Sequence, residues 1–461
     1  MSHVHFIGIK GMGMNGLAKL ARHRGYMVSG SDRAIDQNAA EYFSKDQINV
    51  SDALSSSELD AADIVCYSTA IHHDHPSLVR ARDLKIQTLH RSEFLNLLIE
   101  GKTSVAVSGS HGKSSTAAVL AHIASLAGIS PNCVIGARML PSNESYLAGN
   151  GPFIVEADDH DGTLTNIQPT NAIITNIDCE HLENYGSLAK LQQLYFDFLS
   201  SLPPSGYAVV CHDNQPIMDV ARRLQNIEIV TYGYDIEADV KITYHGRRSE
   251  CQIYELYSDR KDLFPKYTGR RTQTTMLGKH GVSNTSAAQV MAALMGLDSE
   301  IVLQAPRVYS GLDRRMFAVG QINGAHVFDD YAHHPTEIRA VLETLKEDCE
   351  GSIFVIFEPH RHTRVSLLFD DFAECFESAS QVIVTPVYSP GDEHAEEISH
   401  VALATAIHKK SGCVALPVTQ LSEALLLLKQ KRPQRGDVVI LLSAGNLSFY
   451  RACIVEAFSQ D

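Results

Sequence analysis

The run Gly109-Ser110-His111-Gly112-Lys113-Ser114-Ser115 is built of residue types that hold phosphate. It follows a short apolar stretch at 105–107 and precedes a helix-like stretch at 116–127. Glycines let successive backbone N–H groups turn toward phosphate oxygens, and a helix start adds a dipole that favours negative charge. Lys113 would then reach the β- and γ-phosphates, and the Ser114 hydroxyl a magnesium ion. Only two residues separate Gly109 from Gly112, fewer than in the usual phosphate loop, so a tight turn with a solvated lysine also fits. The strand before it and the helix after it weigh for phosphate.

Magnesium on a nucleotide recruits one or two protein oxygens beyond the loop hydroxyl. The apolar run 153–155 ends at Glu156, followed by Ala157-Asp158-Asp159-His160-Asp161. Strand ends gather at the ligand crevice of α/β domains, so Glu156 is the first choice as ligand. Asp158, Asp159 and Asp161 fit a solvated acidic loop equally well. The run 172–175 leads into Asn176-Ile177-Asp178-Cys179-Glu180-His181, but a lone histidine is more often a structural hydrogen-bonding residue than a ligand.

Near the start, Gly11-Met-Gly-Met-Asn-Gly16 follows an apolar run at 4–9, and Asp32 stands at the distance of a ribose-binding acid. This pattern promises a diphosphate at a helix N-terminus, which a UDP-sugar satisfies as well as NAD does. Later come Arg314-Arg315 and Asp329-Asp330-Tyr331-Ala332-His333-His334-Pro335, with Pro335 opening a helix and the preceding loop able to face a nucleotide. Two adjacent histidines raise the question of zinc, but no cysteine or histidine stands at a supporting structural-zinc spacing. The tract His360-Arg361-His362-Thr363-Arg364 could supply a cationic pocket for a small anion, whereas His72-His73-Asp74-His75 reads as an exposed loop.

The elements that must position these residues alternate. Strand candidates at 64–67, 153–155, 172–175, 208–210, 353–357, 382–384 and 438–442, with helices such as 337–345 and 421–428, predict an α/β protein with parallel sheets. With 461 residues, several cores are needed, and three blocks result: 1–100, 101–312 and 313–461. Residues 236–275 break the pattern and read as an antiparallel hairpin insertion. A formal charge of −15 repels polyanions, which argues against nucleic acid. Nine scattered cysteines without a C-x-x-C, no stretch apolar enough to span a membrane and no leader pattern lead to the expectation of a cytoplasmic protein.

Taken together, the chain resembles the Mur ligases of peptidoglycan synthesis. The resemblance spans nearly the whole length and rests on seven motifs in family order. They are Gly8-Ile-Lys-Gly-Met-Gly-Met-Asn-Gly16, Gly109-Ser-His-Gly-Lys-Ser-Ser115, Glu156-Ala-Asp158, Thr175-Asn-Ile-Asp178 with His181, Gly278-Lys-His-Gly-Val-Ser-Asn284, Asp329-Asp-Tyr-Ala-His-His-Pro335 and Pro359-His-Arg-His-Thr-Arg364. It implies a Rossmann-like N-terminal domain for a UDP-sugar, a central phosphate-loop ATPase domain and a Rossmann-like C-terminal domain for an amino acid. It further implies ATP and Mg2+, with Lys113 as the loop lysine, Ser114 and Glu156 on one magnesium and His181 on a second. By the same resemblance Asn284 and Arg315 look like nucleotide contacts, Asp330 like a ribose partner, and His333, Arg361 and Arg364 like substrate-pocket residues.

Some family members carry a modified lysine where Tyr195 and Phe196 stand here, as in the alanine-adding branch. That branch implies UDP-N-acetylmuramate, L-alanine and ATP as substrates, with no nucleic acid or membrane partner, in a monomer or weak homodimer. A murein-peptide recycling ligase is the nearest alternative. A nicotinamide oxidoreductase would leave Lys113, Glu156 and His181 without a task, and a nucleotide-regulated binding protein with a decayed site is a third reading. Ser110, Ser114 and Ser115 stand where the family usually has threonine, and Lys10, Met12 and Ala332 replace smaller or more common residues.

Overall fold

In a computed structural model of the chain, all residues are described except 34, 53–56, 160–161, 179–184, 261–263, 265–268, 391–396 and 460–461. The chain divides into two compact units, Met1–Met276 with Gly281–Ser310, and Leu277–His280 with Gly311–Asp461.

The first unit holds two sheets. The smaller is wholly parallel, in the order Asn49–Asp52, Met27–Asp32, His3–Ile7, Ile64–Tyr67, Gln87–His90. The strand order reverses at His3–Ile7, so the crevice past its C-terminal end is where such a sheet places a ligand. Val4 and Phe6 are fully buried, and the helix Met12–His23 covers them with Met14, Leu17, Ala18 and Ala21.

The larger sheet runs Arg270–Thr274, Cys251–Ser258, Val240–Arg248, Glu228–Gly233, Tyr207–Cys211, Asn171–Ile174, Ser104–Ser108, Phe153–Glu156, Asn132–Met139, Glu144–Leu147. Its centre, Ser104–Ser108 between Asn171–Ile174 and Phe153–Glu156, is parallel and buried, as the unbroken apolar runs require. The antiparallel hairpin expected within 236–275 is present, Val240–Arg248 against Cys251–Ser258, but it continues this sheet rather than standing as an insertion. Val240 pairs in parallel with Tyr232, and the next two strands add antiparallel. Alternation in Cys251–Ser258 buries Gln252, Tyr254, Leu256 and Ser258 on one face, where the Tyr254 hydroxyl donates to Gln289 of the helix Gly278–Leu294 at 2.6 Å.

At the opposite edge, the hairpin of Asn132–Met139 and Glu144–Leu147 reaches the first helix. Lys19, only 2% exposed, donates to both Glu144 oxygens at 3.0 Å and lies 3.1 Å from Asp46. Its ammonium sits 3.8 Å over the Tyr42 ring, and the Tyr42 hydroxyl donates to Glu144. A buried ammonium needs this full set of partners.

The second unit is a six-stranded sheet in the order Phe317–Ile322, Ala325–Asp330, Val438–Ser443, Ile353–Glu358, Gln381–Val384, Val414–Pro417. The first pair is antiparallel and the rest parallel. Among the described residues no helix is long and apolar enough to cross a membrane, and the described cysteines are free thiols.

Candidate active site

The phosphate-loop residues form a tight turn between the central strand Ser104–Ser108 and the helix Lys113–Leu126. Gly109 and Gly112 take φ of 132° and 84°, regions in which a side chain is strained. Each also has a neighbour close to where a Cβ would stand: a Cβ on Gly109 would lie 2.2 Å from Thr175 Oγ1, and one on Gly112 2.5 Å from Asn284 Oδ1. Asn284 therefore abuts the loop. Lys113 folds over the same turn, its Nζ donating to the carbonyls of Gly109 at 2.7 Å and Ser110 at 3.2 Å.

A second segment splints the loop. Ser110 N–H donates to the Asn176 carbonyl at 3.1 Å, and His111 N–H to Asn176 Oδ1 at 2.9 Å. Asn176 Nδ2 donates to the His111 carbonyl at 3.0 Å, and Asp178 N–H to Ser110 Oγ at 2.9 Å. His111 Nε2 is 3.1 Å from the Asp178 carboxylate. The segment Thr175-Asn176-Ile177-Asp178 thus spends its polar groups on holding the phosphate loop in shape.

Carboxylates close in from the neighbouring strand Phe153–Glu156. Glu156 Oε2 accepts from Ser114 Oγ and from the Gly136 N–H, each at 2.7 Å. Lys113 Nζ lies 3.8 Å from Asp158 and 3.6 Å from Asp159. Asp159 is fully buried and accepts from the Tyr195 hydroxyl at 3.2 Å; burial, then the Asp159 charge, drive the Tyr195 phenol's pKa well up, so it stays a donor. Ser114 and Glu156 are hard oxygen donors within reach of one another, a pair suited to a magnesium ion. His181, and Asp161 with it, lie outside the described residues.

Glu156 and Asp158 also line a cavity of about 110 Å³ whose other walls include Gly13, Leu17, Arg91 and Gly136. A Cβ on Gly13 would lie 2.2 Å from Arg91 Nη1, so the glycine makes room for that guanidinium. Gly11 caps the helix Met12–His23. Asp32 accepts the N–H groups of Lys10 and Arg33, each at 2.7 Å, and so braces the glycine turn.

In the second unit, Arg314 and Arg315 lie over the Tyr331 ring at 4.9 and 5.1 Å. Asp330 ends the strand Ala325–Asp330 and accepts the N–H groups of Met316 and Ala332, each at 2.7 Å. His333 follows on the loop, His334 caps the helix Pro335–Asp348, and Arg361 and Arg364 stand at the start of the helix His362–Leu367.

Residues 3–103 match the Mur ligase family catalytic domain, 107–292 the Mur ligase middle domain, and 314–445 the Mur ligase glutamate ligase domain. The UDP-N-acetylmuramate–L-alanine ligase of Rhizobium meliloti is 34% identical across 99% of this chain and 97% of its own. The chain is a Mur ligase. A second relative of that name, from Methylobacterium nodulans, is 35% identical across 96% of this chain and 94% of its own. Among solved structures, the UDP-N-acetylmuramate-alanine ligase of Thermotoga maritima superposes with a TM-score of 0.81 at 26% identity, each chain fully covered. A murein peptide ligase of Psychrobacter arcticus, 21% identical, shares the fold with a TM-score of 0.70 over 100% of this chain and 98% of its own.

Within this Mur ligase the first unit brings together Lys113, Ser114, Glu156 and Asn284, which are distant in sequence. Sequence reasoning missed Arg91, Gly136 and the buried Asp159–Tyr195 pair. The signal available for Arg91 was its place at the start of the helix Arg91–Ile99, capped by His90 with Glu93. The second unit of the ligase carries a titration of its own. Burial, opposed by Arg315, raises the Asp330 pKa from 3.8 to about 6. The folded form therefore binds a proton that the unfolded chain has released, so this carboxyl's contribution to stability is full below 3.8 and is lost as pH rises through about 6. Denaturant titrations across that window should show the decline in wild type and a flatter profile in Asp330→Asn. The variant should be less stable by about 1–2 kcal/mol, because an amide oxygen serves the two N–H groups less well.

Proposed function

We propose that this Mur ligase joins L-alanine to UDP-N-acetylmuramate with cleavage of ATP. The sugar's lactyl carboxylate attacks the γ-phosphate, and the alanine amine then displaces phosphate from the resulting acyl phosphate. The observation that carries the reading is continuity between two features of the first unit. The pair Ser114–Glu156, 2.7 Å apart beside Lys113, opens onto the cavity bounded by Arg91 and Gly13. A turn suited to phosphate thus adjoins a recess lined by Arg91, which could orient a carboxylate, and by Glu156 and Asp158.

In this reading Gly109, Ser110, His111, Gly112 and Ser115 present the loop to ATP, Lys113 neutralises charge on the transferring phosphoryl group, and Asn284 holds the nucleotide against the loop. Arg315 and Asp330 serve the nucleotide as well, the latter at its ribose. Gly11, Gly13 and Asp32 shape the first glycine turn for the sugar nucleotide, and His333, Arg361 and Arg364 receive the amino acid. Ser114 and Glu156 would hold a Mg2+ ion, which when bound supplies further neutralisation of phosphate charge; His181 is assigned to a second on family resemblance. Segments 1–100, 101–312 and 313–461 take the sugar nucleotide, ATP and the amino acid respectively. A cytoplasmic monomer or weak homodimer completes the assignment.

A phosphate-release assay with UDP-N-acetylmuramate, ATP and a panel of L-alanine, glycine, L-serine and murein tripeptide tests it. L-Alanine should give the highest kcat/KM, with glycine and serine following by about 10- to 200-fold, the span one small group provides. Release with the tripeptide alone would move the chain to peptide recycling, and release independent of any acceptor would remove the ligase assignment.

A further inference from the structure

Two tyrosines of one segment grip a single buried aspartate beside the phosphate-loop lysine. The Tyr195 hydroxyl donates to Asp159 Oδ2 at 3.2 Å, and the Tyr185 hydroxyl donates to the Asp159 main-chain carbonyl. Tyr195 projects from the helix Leu188–Ser200, and its ring lies in the apolar cluster that holds Leu191 and Leu199. A phenyl ring would fill that place equally well, so packing does not account for the hydroxyl; a partner does. The other oxygen of the carboxylate, Asp159 Oδ1, lies 3.6 Å from Lys113 Nζ. One carboxylate thus joins the phenol to the ammonium.

The direction of each hydrogen bond follows from its partners. A carboxylate accepts only, so the single phenolic hydrogen of Tyr195 points to Asp159, and Ser108 Oγ, 3.4 Å away, donates to the phenol oxygen. Ser108 ends the central strand directly before Gly109, and its carbonyl accepts the Thr175 N–H at 3.0 Å. A relay of fixed groups therefore runs from the strand end through Tyr195 to Asp159, and all three side chains are fully buried. In a buried network whose members satisfy one another, each fixes the next. Asp158 differs: its carboxylate, 3.8 Å from Lys113 Nζ and 29% exposed, lines the open cavity. Of the two anions beside the ammonium, Asp159 is the one held in place.

We propose that Tyr195 is a positioning residue for phosphoryl transfer: it fixes the Asp159 carboxylate, and that carboxylate holds the Lys113 ammonium in place for the phosphoryl group. The assignment rests on the reading of Lys113 as the charge-neutralising lysine of an ATP-dependent ligase. To act, the ammonium must leave the carbonyls of Gly109 and Ser110 and meet the equatorial phosphate oxygens. A cation misplaced by about 1 Å at that moment costs about a hundredfold in rate. A flexible lysine therefore needs a fixed neighbour, and Asp159 is fixed by a hydroxyl that packing does not require. Tyr195 acts through these two side chains, before the acyl phosphate meets its nucleophile.

Tyr195→Phe, which removes one oxygen and keeps the ring, is assayed in the full-length ligase with UDP-N-acetylmuramate, ATP and either L-alanine or hydroxylamine. The kcat with alanine should fall about 10- to 100-fold, with KM for ATP and for the sugar nucleotide within about threefold of wild type. That split marks an interaction lost in the transition state, whereas a loosened core would raise KM as well. Hydroxamate formation should fall by the same factor, because both nucleophiles draw on one acyl phosphate. Asp159→Asn, whose amide oxygen still accepts from Tyr195, should lower kcat at least as far, and adding Tyr195→Phe to it should cost less than about threefold more. The assignment is overturned if Tyr195→Phe keeps kcat within about threefold of wild type, if the loss appears in KM instead, or if alanine turnover falls while hydroxamate formation does not. Should that variant not fold, Asp159→Asn decides: kcat within about threefold of wild type overturns the assignment too. Wild-type protein that forms neither product would remove the ligase reading itself, and the assignment with it.

Discussion

Replacing Lys113 with alanine should leave a folded protein whose phosphate release is slower by about a thousandfold or more, because phosphoryl transfer depends chiefly on positioning and on cations around the equatorial oxygens. The fold should survive because Lys113 occupies the first position of its helix, where alanine is well tolerated, and its ammonium donates to carbonyls of its own loop. The side effect falls on Asp159, buried 3.6 Å away, which loses a compensating charge. Circular dichroism should therefore stay close to wild type, with a lowered thermal midpoint from Asp159, while turnover disappears. Phosphate release within about tenfold of wild type would remove Lys113 from the mechanism.

Gly109→Ala should be damaging for a different reason. A side chain at φ 132° is strained by itself, and its Cβ would stand 2.2 Å from Thr175 Oγ1 and 2.9 Å from the Asn176 carbonyl. The segment that splints the phosphate loop would have to retreat. We expect a loss of about 2–4 kcal/mol in stability together with loss of nucleotide binding by calorimetry. Gly25→Ala is the matched control: φ is 90°, but nothing lies within 4 Å of the added carbon, so only about 1–2 kcal/mol of backbone strain is expected. Equal damage in the two variants, with nucleotide binding intact in Gly109→Ala, would show that the loop does not depend on close approach.

Much of this site is written locally. The central strand, the glycine turn and the helix Lys113–Leu126 appear in sequence as an apolar run, two glycines and a helical stretch, and Glu156 announces itself by ending a buried strand. What was not legible depends on pairing between distant segments. The strand Asn132–Met139 carries Asn132, Gly136 and Arg138 within eight residues, and its pairing with Phe153–Glu156 and Glu144–Leu147 makes it a strand. Strands Val240–Arg248 and Cys251–Ser258 alternate as a hairpin does, and nothing in that alternation says that the pair continues a larger sheet. Asp32 looks like a ligand-binding acid by distance, while its backbone partners at Lys10 and Arg33 are a matter of three-dimensional closure. The motif that ends in Asp178 advertised polar groups at a strand end, and geometry alone shows them turned onto the phosphate loop.

The buried Lys19 has a bearing on the recess beside Glu156. The helix that carries Lys19 contributes Gly13 and Leu17 to the lining, and the hairpin that carries Glu144 contributes Val134, Ile135 and Gly136. Their spacing is therefore pinned by a fixed ionic contact rather than by the compliance of apolar side chains. A guest of different girth could not be admitted by trimming one wall alone, so altering which guest that recess takes would demand concerted changes across two segments more than a hundred residues apart in the chain.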